Sequence, residues 1–332
     1  MKSGKPAESV LKRSVLKQVH RVGNKNSAAV GADCAFFAVP EGQILAWCAQ
    51  EAAVAGQADM GDVAYPILKC ANNLATAGAT PISALIGLML PEDCGEDRIK
   101  VLMEKAVRTC VSLGLEIAGG DTNISYTVTA PVLSVTVLGT VRPDEKRVPA
   151  MAKAGQDLVL SKWIGLEGTA VLAKAFRKVL LNRYPAYLVD TAAGFEQYLS
   201  VLPEAGIALK NNVKAMHDLS QGGVLSALWE LAEGSGLGLK ADLKKIPIRQ
   251  ETVEVCEVCG VNPYEMRSAG SLLMTAEDGE ALAEALQQAG IPAAVIGKLT
   301  ENRDRILVNG EETRFLDRPK GVDIITEAIR SS

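Results

Sequence analysis

Aromatic residues make up only 4% of this 332-residue chain, and there are just two histidines, His20 and His217. So few histidines exclude a histidine-rich metal centre, and so few aromatics leave little to stack nucleic-acid bases. Positive charge is not in excess either. Lys plus Arg number 35 against 39 Asp plus Glu, a net charge of −4, which argues against the clustered basic surface that phosphate backbones require. An uninterrupted apolar run of membrane-spanning length is also missing. The stretch from Cys70 to Pro91 is broken by Asn72, Asn73, Gly78 and Pro81, and the stretch from Asn123 to Val141 alternates Ser and Thr with Val and Leu as strands do. Met1 to Lys17 carries charge throughout without a continuous apolar region, so the expectation is a cytoplasmic protein with neither membrane nor nucleic-acid partners.

The seven cysteines are odd in number and scattered through apolar segments, which points to reduced thiols rather than a disulfide framework. Cys256 and Cys259 form a Cys-x-x-Cys, but two more ligands for zinc are not locally available, and the pair reads as a helix end.

What is present is alternation of helix and strand. The spacing predicts helices over Met60–Ala77 and Arg98–Leu113, with strands at Ile82–Leu90, Leu115–Ala118 and Val132–Val141. The charged, proline-bracketed segment Arg142–Pro149 predicts a domain boundary near residue 150, giving domains 1–150 and 151–332. The second half predicts a strand at Asp157–Leu160, helices at about Gly168–Leu181, Asp190–Leu202, Val224–Ala232 and Gly279–Ala289, and short strands near Val213, Leu237, Leu272 and Val295. No Gly-x-Gly-x-x-Gly opens a helix after the first strand, which disfavours a Rossmann fold or P-loop and leaves two α+β domains.

Against this alanine-rich background, polar chemistry concentrates in a few places. Gly31-Ala-Asp33 follows a polar approach containing Lys25, and its carboxylate suits either a metal ion or a backbone cap. Ile117-Ala-Gly119-Gly120-Asp121 reads as a strand ending in two glycines and an acid, able to bring backbone and carboxylate close to Mg²⁺ and phosphate, or simply to turn. His217-Asp218-Leu-Ser220-Gln-Gly222-Gly223 reads as a strand end leading into a helix that Ser220 can cap, with free N–H groups suited to an anion. The alternative there is a well-capped helix with a tight glycine packing contact. Asn72-Asn73 within an apolar helix and Gln50-Glu51 after a strand also need polar partners.

The order of these motifs resembles the aminoimidazole-ribonucleotide (AIR) synthase superfamily, which includes hydrogenase expression/formation protein E, selenophosphate synthetase and thiamine-monophosphate kinase. Similarity is strongest to its AIR synthase-related, hydrogenase-maturation-like branch and runs from Leu11 to about Phe315. Further carriers are Cys70–Pro81, Lys162-Trp-Ile-Gly-Leu-Glu-Gly-Thr-Ala170, Ala227-Leu-Trp-Glu-Leu-Ala-Glu233 and Arg267-Ser-Ala-Gly-Ser-Leu-Leu273. The resemblance implies an N-terminal mixed sheet with helices that pairs in a homodimer, a C-terminal α+β domain packed against it, and ATP with Mg²⁺ in the cleft. The implied chemistry is phosphorylation of an oxygen on a small-molecule acceptor. By position it assigns Asp33, Glu51 and Asp121 to the metal, Gly31, Asp33, Asn73, Gly119, Gly120, Asp121, Gly222 and Gly223 to the nucleotide, and His217 and Asp218 to the acceptor.

Glu51 replaces the family's usual Asp and Asn73 replaces another, changes expected to weaken a Mg²⁺ site. They support an alternative reading, a nucleotide-binding or degenerate dimeric scaffold without turnover. The hydrogenase-maturation branch carries a C-terminal Pro-Arg-Ile-Cys tail, whereas this sequence finishes Glu327-Ala-Ile-Arg-Ser-Ser332, so modification of its own tail is not expected.

Overall fold

The computed structural model describes residues 35–38, 42–53 and 61–331. Gly31, Asp33 and Lys25 therefore lie outside the described residues. Two compact units meet in sequence between Lys146 and Arg147.

Among the described residues the first unit is a five-stranded mixed sheet with two helices. Its strands are β1 (Ala35–Ala38), β2 (Ile44–Ala53), β3 (Thr80–Leu90), β4 (Glu116–Ile124) and β5 (Val132–Val141), in the order β1-β2-β5-β3-β4. Helix α1 (Gly61–Thr76) joins β2 to β3, and α2 (Glu96–Ser112) forms the crossover that lets β4 lie parallel to β3. Alternation in β5 is strict: Leu133, Val135, Val137 and Val141 are buried. Ile67, Cys70 and Leu74 of α1 join these residues in one apolar core, each fully buried aliphatic side chain contributing roughly 1.5–3 kcal/mol. The opposite face of the sheet is bare in the described unit, with Leu85 51% and Met89 43% exposed.

One expectation is corrected here. Gly119, Gly120 and Asp121 do not form a turn after a short strand; β4 continues through them to Ile124. The reason is steric. A Cβ at Gly120 would sit 1.8 Å from the Ile86 carbonyl oxygen, so only glycine lets β4 approach β3 this closely.

The second unit holds a seven-stranded sheet of β6 (Asp157–Ser161), β7 (Ala215–Asp218), β8 (Gly238–Asp242), β9 (Leu272–Ala276), β10 (Ala293–Thr300), β11 (Arg305–Asn309) and β12 (Glu312–Phe315). Their order is β12-β11-β8-β10-β6-β9-β7. Its helices are α3 (Leu166–Ala175), α4 (Arg177–Leu181), α5 (Ala186–Ala193), α6 (Leu202–Lys210), α7 (Gly223–Ser235), α8 (Gln250–Cys259), α9 (Gly279–Gln288) and α10 (Ile324–Arg330). The helix expected over 168–181 is divided at Phe176, which packs with Leu172, Leu180 and Val189. That expected over 190–202 ends at Ala193 and passes through a 3₁₀ turn, Gly194–Tyr198. Pro203 suits the first turn of a helix but not its interior, and α6 begins around it. The strands β11 and β12 escape the sequence reading; β12 is exposed along its whole length and so has no apolar alternation to show. Among the described residues no helix is long and apolar enough to cross a membrane.

The close β3–β4 approach yields a direct test. Gly120→Ala should lower the unfolding free energy by about 3 kcal/mol, read as a reduced urea midpoint, because the obstruction is backbone and cannot rotate away.

Candidate functional site

Strand register decides which polar residues of the first unit share a surface. Glu51 pairs with Ser134, Ser134 with Gly87, and Gly87 with Asp121, so four strands contribute one continuous row. Residues directly opposite in adjacent strands point to the same side. This side is the bare face, because Ala46, Cys48, Ile86 and Val135, at the alternate positions, are all in the core. Both carboxylates of the row are exposed. Three strand spacings separate them, about 14 Å along the row.

Asp121 is oriented locally. Its Oδ1 accepts from the Thr122 amide at 2.9 Å and its Oδ2 from Asn123 Nδ2 at 2.6 Å. Asn73 lies on the other side of the sheet. It is 8% exposed, and its Nδ2 donates to Cys48 Sγ at 3.4 Å. The structure thus brings Glu51 and Asp121 to one face and sets Asn73 among the core residues behind it. Ser134, Gly87 and Asn123 complete the surface and were not singled out from sequence, although the alternation of β5 already places Ser134 on its polar side.

These residues supply oxygen donors of the kind Mg²⁺ takes at 2.0–2.1 Å. Across about 14 Å the two carboxylates cannot share one ion. Among the described residues no group of three or more His, Cys, Asp or Glu could hold a metal. The row is two separate oxygen donors on one face and not a cage for a single ion.

In the second unit β7 delivers His217 and Asp218, each 2% exposed. His217 Nε2 lies 2.8 Å from Glu230 Oε2 on α7. With an ionised carboxylate as acceptor, that nitrogen carries the proton, which assigns the tautomer from its partner. Thirteen residues separate the two in sequence, a spacing that carries no local signal.

The start of α7 differs from expectation. Gly222, not Ser220, is the N-cap residue, and no side chain caps the helix. The Gly223 amide donates to the Ser220 carbonyl at 3.1 Å and the Leu225 amide to the Tyr264 carbonyl at 3.3 Å. Two donors that an anion would use are therefore engaged by the protein itself. Gly223 has φ 63°, and a Cβ there would lie 2.5 Å from the Tyr264 carbonyl oxygen, so packing alone accounts for this glycine.

The Cys-x-x-Cys pair closes α8 as expected. Cys256 is buried against Met266, with a sulfur–sulfur distance of 3.8 Å, and burial pushes its thiol up to about 12 and that of Cys259 to about 11. Such thiols remain protonated and poorly nucleophilic near neutrality. In native protein at pH 8, mass-spectrometric mapping after brief iodoacetamide treatment should find Cys256 and Cys259 alkylated at least tenfold more slowly than in urea-unfolded protein.

Two sheets with their helices, the first carrying a row with two exposed carboxylates on its uncovered face, define a two-unit α+β protein. The chain belongs to the AIR synthase related protein family: the N-terminal domain of that family matches residues 26–141 and the C-terminal domain residues 153–309. It is 27% identical over 262 residues to a Methanocaldococcus jannaschii protein named for hydrogenase expression and formation, covering 75% of this chain and 74% of the relative. It is 26% identical over 246 residues to the carbamoyl dehydratase HypE of Rhodobacter capsulatus, covering 72% and 69%. Its fold matches a crystal structure of the hydrogenase maturation protein HypE in complex with ATP, with TM-score 0.70, 18% identity and 97% of each chain covered.

Proposed function

We propose that this protein is an ATP-dependent enzyme that activates or phosphorylates a carbonyl, amide or other oxygen of a small-molecule acceptor. The observation that carries the reading is the Glu51–Ser134–Gly87–Asp121 row, which lines up two oxygen donors with only a serine and a glycine between them. Family membership and the ATP complex of a protein with the same fold support it. Phosphoryl transfer asks a protein mainly for positioning and charge neutralisation. Bound Mg²⁺ would supply the neutralising charge. Asp121, steadied by Thr122 and Asn123, would hold one metal contact and Glu51 another, with Asp33 as a further proposed ligand and Gly31, Gly119 and Gly120 lining the nucleotide. For the second unit, considered by itself, we propose roles toward the acceptor for His217 and Asp218, with Glu230 holding the His217 ring and Gly222-Gly223 in the turn that follows.

A second reading, nucleotide binding without turnover, is favoured by Asn73. The family's usual acid is here an amide that bonds to Cys48 within the core, so the protein offers one carboxylate fewer. Calorimetric titration separates ligand binding from its absence: Mg²⁺-dependent ATP binding in wild type should weaken at least tenfold in Asp121→Ala. Unchanged binding in the variant would remove the carboxylate row from the nucleotide site. ADP release on addition of an acceptor panel then distinguishes an enzyme from a scaffold.

The same face is also where we propose that a homodimer forms, and the two uses compete, because a second copy seated here would cover Gly87 and the row with it. Leu85 and Met89 flank Gly87 on β3 and expose 51% and 43% of their surface, and a second copy laid against them would cover both. Light scattering at micromolar concentration should give twice the 35.1 kDa chain mass for wild type and the single-chain mass for Leu85→Asp with Met89→Asp.

A further inference from the structure

Two sequence motifs have no part in the chemistry described above, Lys162–Ala170 and Arg267–Leu273, yet the fold places them against each other. The Gly165 amide donates to Ser268 Oγ at 2.7 Å, the Gly168 amide to the Arg267 carbonyl at 3.0 Å, and Ser271 Oγ to the Trp163 carbonyl at 2.5 Å. At the start of this seam stands Lys162. Its backbone is left-handed, φ 54°, in a residue that is not glycine, a conformation that persists only where the surroundings enforce it. The side chain is buried and ends in a cage of oxygens. Nζ donates to the carbonyls of Tyr198 at 2.8 Å, Ser200 at 2.7 Å and Gly270 at 2.9 Å, and lies 2.6 Å from Glu204 Oε1.

The count of hydrogens identifies the state of the nitrogen. A lysine ammonium has three donors and an uncharged amine only two, so three carbonyl acceptors require the ammonium. Glu204 Oε1, the nearest of the four oxygens, shares these hydrogens and meets the positive charge. Glu204 is itself fully buried, and the lysine ammonium is the counter-charge beside it. Burial opposes both charges, lowering the lysine's proton affinity and raising the carboxyl's, so each ion depends on the other.

Three converging carbonyls and a carboxylate, all within 2.9 Å of one point, are the coordination that a weakly hydrated monovalent cation accepts. We infer that Lys162 is a captive cation filling a monovalent-cation site, and that removal of its side chain opens this site to K⁺ or NH₄⁺ from solution. The bound charge ties the loop after β6 to the chain between Tyr198 and Glu204 and to the loop before β9, three segments that share no continuous hydrogen-bonded ladder at this point.

The experiment is thermal melting of wild type, Lys162→Ala and the double variant Lys162→Ala with Glu204→Gln, each in choline, potassium and ammonium chloride at equal ionic strength. Wild type should melt alike in all three salts. Lys162→Ala should gain a saturable rise of about 5–10 °C in potassium or ammonium over choline, and the double variant, which lacks the counter-charge, should not. Equal melting of Lys162→Ala in every salt, or an equal rise in the double variant, would overturn the inference. Should Lys162→Ala fold only in potassium or ammonium, that requirement is itself the expected rescue. Should it fold in none, nitrogen-15 spectra of lysine side chains decide. A slowly exchanging ammonium at pH 8, present in wild type and missing from Lys162→Arg, supports the captive cation, and its absence from wild type overturns it.

Discussion

The candidate site depends on one close approach between strands. Because Gly120 has no side chain, β4 can run beside β3 with its backbone against the Ile86 carbonyl, and the parallel pairing carries on to Gly87 and Asp121. Were β4 to end at Ala118, Asp121 would lie on a loop with no defined relation to Glu51. As built, the register transmits position across four strands, and two carboxylates 70 residues apart in sequence fall on one line. The row is thus a consequence of backbone geometry, and its precision comes from hydrogen-bonded strands rather than from loops.

The sheet also separates two kinds of polar residue. Those facing outward, Glu51, Ser134 and Asp121, can meet a ligand. Asn73 faces inward, where its amide bonds to Cys48 and helps join α1 to β2. A carboxylate in that setting would carry a desolvation cost that an amide does not. The departure from the family's usual acid at this position is therefore compatible with the core that surrounds it.

Much of this architecture was legible in the residues themselves. The alternation of Val132–Val141 specified a strand with one buried face, and the helices ending near Gly78 and Gly114 were marked by periodicity and by those glycines. The helix at the Cys-x-x-Cys was legible too. Less legible were β4, where glycines that ordinarily signal a turn serve close strand packing, and the start of α7, where the backbone carbonyls of Ser220 and Tyr264, not the Ser220 hydroxyl, engage the first amides. The Ile86 carbonyl at β4 and the Tyr264 carbonyl at α7 both come from segments distant in sequence, so local propensity had no access to them.

By itself the sequence determined which segments would be strands or helices with an apolar side, where acids and glycines would concentrate, and that the whole matched one family pattern, because these follow from periodicity, composition and order along the chain. Only the tertiary structure decided which polar residues would meet. It set Glu51 and Asp121 in one row, turned Asn73 away from it, gave His217 the Glu230 carboxylate, and closed three carbonyls and Glu204 around Lys162. Each of those encounters depends on strand register or on packing between distant segments, and neither is encoded in the spacing of residues along a single stretch of chain.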